Sequence, residues 1–291
     1  MNLAALTTVT TVEFRRDLPA DLVTVDDRPL AGPALARVLA HLDRVRALAG
    51  IDHKAWVASR NDFPAGTGLA SSASAFAALS LAATRAAGLW LDEAALSQLA
   101  RLGSGSACRS VPAGFCLWEG EDDETSYARQ VAPAEHWNLT DVVAIVSREH
   151  KPVGSHDGHS LAPGSPFYAA RLAAVPGWLA DAGRGIRQRN LGLLGPAAEA
   201  DALAMHGVML TSQPPLLYWE GGTLAVLKAV PDWRREGLDV YFTMDAGPNV
   251  HCLCLAATAA EVEGRLRRLG VPEVVVSGPG QGVRLVDHYL F

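Results

Sequence analysis

Three short stretches of this chain place groups that could do chemistry. Between Asn61 and Ala77 the sequence reads NDFPAGTGLASSASAFA. Gly66 and Gly68 strip side chains from a loop, and Ser71, Ser72 and Ser74 put hydroxyls and amide N–H groups at the start of the helix that must follow. Exposed donors, the positive end of a helix dipole and no Cβ in the way make a cradle for phosphate. Taken alone, the stretch reads equally as a tight turn with a serine N-cap. Asp245 stands where the strand-like LDVYFTMD meets AGPN, and Gly247 and Pro248 force a turn there that exposes the backbone. A carboxylate so placed can serve as a general base, or merely cap its own turn. Arg109 follows GSGSAC. Its guanidinium can grip a carboxylate through paired hydrogen bonds at any working pH, or sit in a surface ion pair.

The elements that must position these groups follow from periodicity. Residues 3–16 and 54–63 are strand-like, the second delivering the chain to the Gly-rich loop. Apolar residues at helical spacing predict a helix over 33–48, ended by Gly50. From Ala70 to Gly88 nearly every residue is Ala, Ser, Leu or Phe, which predicts a helix buried between neighbours. A second helix runs from Asp92, its N-cap, to Leu102, and GSGS breaks it. Residues 113–120 read as a strand, with the acidic EDDET behind it as a surface loop. The pattern is interrupted around 131–140, and a fresh apolar strand begins with DVVAIVS, so the domain boundary is expected near residue 138, giving domains 1–138 and 139–291. Helices are expected over 165–189, 192–210 and from Pro214 through LAVLKAV. A strand at 238–245 should return antiparallel as VHCLCLA. Residues 259–269 make an amphipathic helix, and VPEVVVSGPGQGVRLV should supply the last strands. Strands and helices so mixed point to α+β halves rather than a doubly wound sheet.

Composition narrows the function classes. The 291 residues are 49% hydrophobic and 19% charged, with a net charge of −6, so there is no basic footprint and nucleic acid is not an expected partner. The four cysteines, Cys108, Cys116, Cys252 and Cys254, match neither a zinc nor a redox motif, and a reduced, cytoplasmic setting is expected. Cys252 and Cys254, at strand spacing, should face one side of a sheet. No stretch has the length of a membrane span, and the N-terminal residues lack the flank and apolar core of a signal peptide.

PAGTGLASSAS resembles the phosphate-binding loop of the GHMP kinase superfamily. GSGSACRS and FTMDAGPNV narrow the resemblance to the mevalonate diphosphate decarboxylase family, which includes phosphomevalonate decarboxylases. The resemblance implies a two-domain GHMP-kinase fold: an N-terminal domain like the second domain of ribosomal protein S5 and a ferredoxin-like C-terminal domain. It implies ATP and Mg²⁺ as cofactors, a phosphorylated mevalonate as substrate and a homodimer. Pro64, Gly66, Gly68, Leu69, Ala70, Ser71, Ser72 and Ser74 would bind ATP. Ser104, Gly105 and Ser106 would bind the phosphate end of the substrate, with Arg109 at its carboxylate and Asp245 as base for its C3 hydroxyl. Ser155 matches a phosphate-contacting serine, and His156 stands where some bacterial members carry an arginine. No residue is expected to ligate a metal directly; His150, Lys151, His156 and His159 read as a loop that meets an anion. His206 reads as a satisfied, partly buried histidine.

The implied activity is ATP-dependent decarboxylation of 5-diphosphomevalonate to isopentenyl diphosphate in the mevalonate pathway. A 5-phosphomevalonate decarboxylase and a mevalonate 3-kinase-like enzyme are the alternatives. Family members also carry, ahead of the stretch that MNLAALTTVT resembles, a strand with an Asn and a Lys-Tyr-Trp-Gly-Lys segment. That segment is absent here, and the expectation is a true start upstream of Met1, with a truncated, non-catalytic binding protein as the other reading.

Overall fold

The structure, a computed structural model, describes residues 1–63, 71–149 and 155–291, with backbone alone at 155–157. The described chain divides into two units: 1–63, 71–134 and 280–291 form one, and 135–149 with 155–279 form the other.

In the first unit the strands are β1 (Thr8–Arg15), β2 (Leu22–Val25), β3 (Arg28–Pro29) and β4 (Lys54–Asn61), ordered β1-β4-β2-β3. β4 runs antiparallel to β1 and parallel to β2. The Asp26–Asp27 turn closes the β2–β3 hairpin. Four-residue and two-residue strands are too short for alternation to declare them, so this hairpin has no sequence signal beyond its turn. The expected 3–16 strand is ladder-paired only from Thr8.

Helix α1 (Gly32–Ala49) stops at Gly50 as expected. Helix α2 (Ser71–Ala86) buries Ala73, Phe76, Ala77 and Leu79 against the sheet side. Its small residues allow that close approach, and α3 (Glu93–Gly103) packs alongside, started by Asp92 Oδ1 accepting the Ala95 N–H at 2.8 Å. A 3₁₀ turn over Gly105–Ser110 leads to β5 (Phe115–Glu119), which pairs with β6 (Tyr127–Ala132) in a separate ribbon.

The second unit is built on β7 (Leu139–Ile145), all of whose residues are buried. Helices α4 (Ser155–Leu161), α5 (Tyr168–Gln188), α6 (Leu191–Thr211) and α7 (Gly221–Arg235) follow. Then come β8 (Val240–Thr243), β9 (Val250–Leu255), α8 (Ala259–Arg268) and β10 (Glu273–Ser277). The sheet is antiparallel with order β10-β7-β9-β8. Counted within the unit this is fourth, first, third, second, with helical crossovers after the first and third strands, which is the ferredoxin-like arrangement. One face carries Val142, Phe242, Cys252 and Cys254 into a core shared with Val226 of α7 and Leu266 of α8. The two cysteines do share a side, as small apolar residues.

Two expectations are corrected here. The PPLLYW stretch is not the first turn of α7 but an irregular segment over residues 214–220. Its two prolines remove backbone donors, and the helix starts only at Gly221, where Glu220 and Thr223 form a reciprocal capping box. Beyond β10 the VPEVVVSGPGQGVRLV stretch yields no further strand; residues 280–291 join the first unit instead, where the Leu290 N–H donates to Thr11 Oγ1 at 3.0 Å and Phe291 stacks on Trp56. No helix among the described residues is long and apolar enough to cross a membrane.

Helix α6 meets β8 at Gly195, where a Cβ would fall inside the Tyr241 ring. Gly195→Ala should therefore cost about 1–3 kcal/mol of stability in chemical denaturation. Gly207→Ala, in the same helix with open space around it, should be neutral or gain up to about 1 kcal/mol.

Candidate active site

In the first unit the start of α2 and the end of α3 meet. Ser72 Oγ lies 3.1 Å from Ser104 Oγ, which joins one member of the expected nucleotide loop to one member of the GSGS stretch. Ser74 turns the other way: its hydroxyl is 2.8 Å from Thr8 Oγ1 on β1 and 3.2 Å from the Ser71 carbonyl. Thr8 Oγ1 also reaches Asn61 Oδ1 at the end of β4, at 2.8 Å. The strand ends and the first turn of α2 are thus tied by hydroxyls. No acidic residue stands in that first turn, so an approaching anion meets donors and no competing carboxylate there. Pro64, Gly66, Gly68, Leu69 and Ala70 lie outside the described residues.

The turn carrying Ser104, Gly105, Ser106 and Arg109 is set by close packing. α3 ends at Gly103, where a Cβ would enter the Phe76 ring, and the Gly103 carbonyl accepts from Arg37 at 2.9 Å. The Ser104 N–H closes the helix onto the Ala100 carbonyl, and the Ala107 N–H, donating to the Ser104 carbonyl at 2.8 Å, opens the 3₁₀ turn. Buried Ser97 fixes the far end, its hydroxyl donating to the Cys108 carbonyl at 3.1 Å while accepting the Ala128 N–H at 2.9 Å. Cys108 points inward, where burial pushes its thiol upward, so it is a packing residue. Arg109 points outward, exposed, with its guanidinium 5.8 Å from the centre of the Trp118 ring.

In the second unit Asp245 follows the end of β8 and is exposed, while residues 247–250 behind it are buried. The turn is held from several sides. Its own Gly247 N–H donates to the Asp245 carbonyl at 2.8 Å, and His206 Nε2 on α6 donates to the same oxygen at 3.0 Å. A carbonyl can only accept, so His206 carries its proton on Nε2. Burial lowers the basicity of this histidine, against the hydrogen bond and the Asp245 charge, which raise it. Buried Asn249 accepts the Val146 N–H at 2.8 Å and the Ser147 N–H at 3.2 Å, stitching the turn to the end of β7. Thr223 Oγ1 donates to the Pro248 carbonyl at 2.6 Å.

Ser155 and His156 open α4; their side chains lie outside the described residues, as do His150 and Lys151. The helix packs toward the same region, since a Cβ on Gly158 would touch Leu216 and the Tyr218 hydroxyl at 3.5 Å, and Tyr218 lies edge-on to His206. Among the described residues no three of His, Cys, Asp and Glu stand together as a metal site.

Sequence reasoning missed one pair in this unit. His251 on β9 meets Asp141 on β7, Nδ1 to Oδ2 at 2.7 Å, with side chains 13% and 5% exposed. Burial alone would lower the His251 basicity, but the Asp141 charge, their hydrogen bond and the Asp245 charge together raise it to about 9. Asp141 heads the otherwise apolar run DVVAIV, and its partner is 110 residues away, so no local pattern announces the pair.

Residues 1–128 match the diphosphomevalonate decarboxylase-like N-terminal domain, and residues 141–276 match the mevalonate 5-diphosphate decarboxylase C-terminal domain. The chain is also 35% identical over 289 residues to the diphosphomevalonate decarboxylase of Bos taurus, covering 92% of this chain and 72% of that protein. This chain belongs to the mevalonate diphosphate decarboxylase family. Phosphomevalonate decarboxylase of Haloferax volcanii is 32% identical over 284 residues, 96% of this chain and 86% of that protein. Among solved structures, mevalonate diphosphate decarboxylase from Staphylococcus aureus superposes with a TM-score of 0.91 at 35% identity, over 98% of this chain and 88% of that one. A complex of MDDEF with MVAPP, AMPPCP and magnesium gives a TM-score of 0.91 at 36% identity, over 98% and 89%. The fold of the family is therefore the fold of this chain.

Two substitutions test how the family turn is held. Asn249→Ala strands the Val146 and Ser147 amides and should cost about 2–3 kcal/mol in denaturant unfolding. His251 is raised on folding from 6.5 to about 9, so its contribution is complete below pH 6.5 and is lost as pH rises through 9. The wild-type melting temperature should fall across that window, and His251→Gln should flatten the fall.

Proposed function

We propose that this chain decarboxylates 5-diphosphomevalonate in an ATP-dependent reaction that yields isopentenyl diphosphate, ADP, phosphate and CO₂. The observation that carries the reading is Asp245, presented on a turn braced by His206, Asn249 and Thr223, in a chain that matches both domains of the family in order.

In this reading Asp245 takes the proton of the tertiary C3 hydroxyl as that oxygen is phosphorylated. Arg109 pairs with the C1 carboxylate through its two-pronged guanidinium. Ser104, Gly105 and Ser106 offer amides and hydroxyls to the substrate's phosphate end, and Ser72 with the first turn of α2 offers the same to nucleotide phosphate. These donors fit a triphosphate: the Ser72 and Ser104 hydroxyls stand together, and no carboxylate opposes them in that turn. When bound, MgATP supplies the phosphoryl group that turns the C3 hydroxyl into a leaving group and screens the oxygens between which it moves. The C3–O bond then breaks with its electron pair on phosphate, and the C1–C2 pair becomes the C2–C3 double bond as CO₂ departs. Arg109 and the serines hold the two ends of the substrate while this happens, which is positioning catalysis.

A second reading, decarboxylation of 5-phosphomevalonate, is favoured by the Haloferax volcanii relative and by His156 in place of an arginine. Single turnover with MgATP and each of mevalonate, its 5-phosphate and its 5-diphosphate separates the cases. Equal ADP and CO₂ from the diphosphate is expected. The same pair from the monophosphate alone moves the assignment to the second reading, and ADP without CO₂ makes the protein a 3-kinase. Asp245→Asn should lower the rate by about 10²–10⁴ while leaving the fold intact; near-wild-type turnover in that variant removes Asp245 from its role.

A further inference from the structure

The Asp141–His251 pair lies in the sheet that presents Asp245, and the proposed reaction makes no use of it. His251 is in register with Thr243 on β8 and Val143 on β7. β8 ends at Thr243, but Met244 continues into the core beside Phe242, which leaves Thr243 and the exposed Asp245 turned away from that core, toward the side that carries His251. Asp141, diagonal to His251 across the β7–β9 ladder, holds the imidazole through Nδ1, and its other oxygen, Oδ1, is buried without a hydrogen-bond partner. Burying an ion pair with an unsatisfied oxygen is an expensive way to stabilise a sheet, and an apolar pair of similar volume does that better. The expense points to a task.

We propose that His251, fixed by Asp141, is a positioning residue for Asp245: it sets a positive charge behind the carboxylate that serves as the base. The inference rests on the proposed role of Asp245. A substrate carrying a carboxylate and phosphates brings negative charge toward Asp245, and a cation behind it offsets that repulsion in a region partly shielded from water. The raised basicity of His251, to which the Asp245 charge contributes, agrees with this coupling. Of the other ionisable groups on the neighbouring elements, His206 of α6 also stands at this turn, on the Asp245 carbonyl at 3.0 Å, and burial lowers its basicity; the rest are engaged elsewhere. Glu199 of α6 is held by Arg234 at 2.6 and 3.0 Å, and Glu273 of β10 by Arg148 at 2.8 Å. Tyr241 of β8 is pushed above its ordinary range by burial and by Asp239, so it stays neutral where His251 titrates.

The coupling and the role are tested separately. Imidazole ¹⁵N shifts of His251 followed over pH should give a titration in wild type that moves downward in Asp245→Asn; an unmoved titration overturns the inference whether or not any substrate is turned over. With the substrate that wild type accepts, kcat should decline as pH passes about 9. His251→Gln should lower kcat by about tenfold, the worth of one pKa unit, with KM little changed, and should abolish that decline. His251→Lys, which keeps the charge, should restore most of the rate, and Asp141→Asn should move the decline to lower pH. A folded His251→Gln enzyme with wild-type kcat and an unchanged profile overturns the positioning role. If wild type turns over none of the three mevalonates, the proposed function fails, and the His251 titration in Asp245→Asn alone decides the coupling.

Discussion

A buried turn must find partners for its backbone polar groups once the strand ladder has stopped, and the second unit is arranged around meeting that demand between Asp245 and Asn249. β8 leaves its ladder after Thr243, and the chain then needs hydrogen bonds that no neighbouring strand supplies. Helix α6 answers with His206, α7 with Thr223, and the turn itself with Asn249, which reaches back to the end of β7. His206 and Thr223 give one hydrogen bond each and Asn249 accepts two, and together they tie the turn to three separate elements, so it cannot shift without breaking several. An exposed carboxylate on a rigid base is the result, and rigidity at that point is what a positioned base requires.

The first unit solves a different problem with different means. In the proposed reaction its part falls to hydroxyls and amides rather than to one carboxylate, which calls for a backbone brought close to where anions would lie. Small residues do this. Ala73 and Ala77 let α2 lie close to its neighbours, and Gly103 lets α3 end flush against Phe76. Ser97, buried, then spends its hydroxyl on two backbone groups at once and turns Arg109 outward while Cys108 faces in. The outward arginine rests over an indole, which restrains it without neutralising it.

A chain with net charge −6 has no general attraction for phosphate, so recognition of a phosphorylated substrate must be local. In the proposed reaction the first turn of α2, free of acids, the hydroxyl pair of Ser72 and Ser104, and Arg109 would be such local features. In the second unit an ionisable pair, Asp141 and His251, is carried inside the sheet rather than on its surface.

The motifs were legible in the sequence because they are local: glycines, serines and an aspartate at fixed offsets, each in a stretch of about ten residues. The same holds for α1, α2, α3, α8 and the antiparallel β8–β9 return, whose apolar periods run uninterrupted. What the sequence could not declare were pairings across distance and elements too short to show a period. The β2–β3 hairpin and β6 passed unseen, and PPLLYW was read as the opening of a helix although its prolines remove backbone donors. By itself, then, the sequence determined the family, the α+β class and the residues to suspect. Only the tertiary structure decided that Ser74 ties the strands while Ser72 meets Ser104, that His206 braces Asp245 and that His251 meets Asp141. Such contacts join residues tens to a hundred positions apart, and a repeat of two or of 3.6 carries no information about which strand end will face which helix.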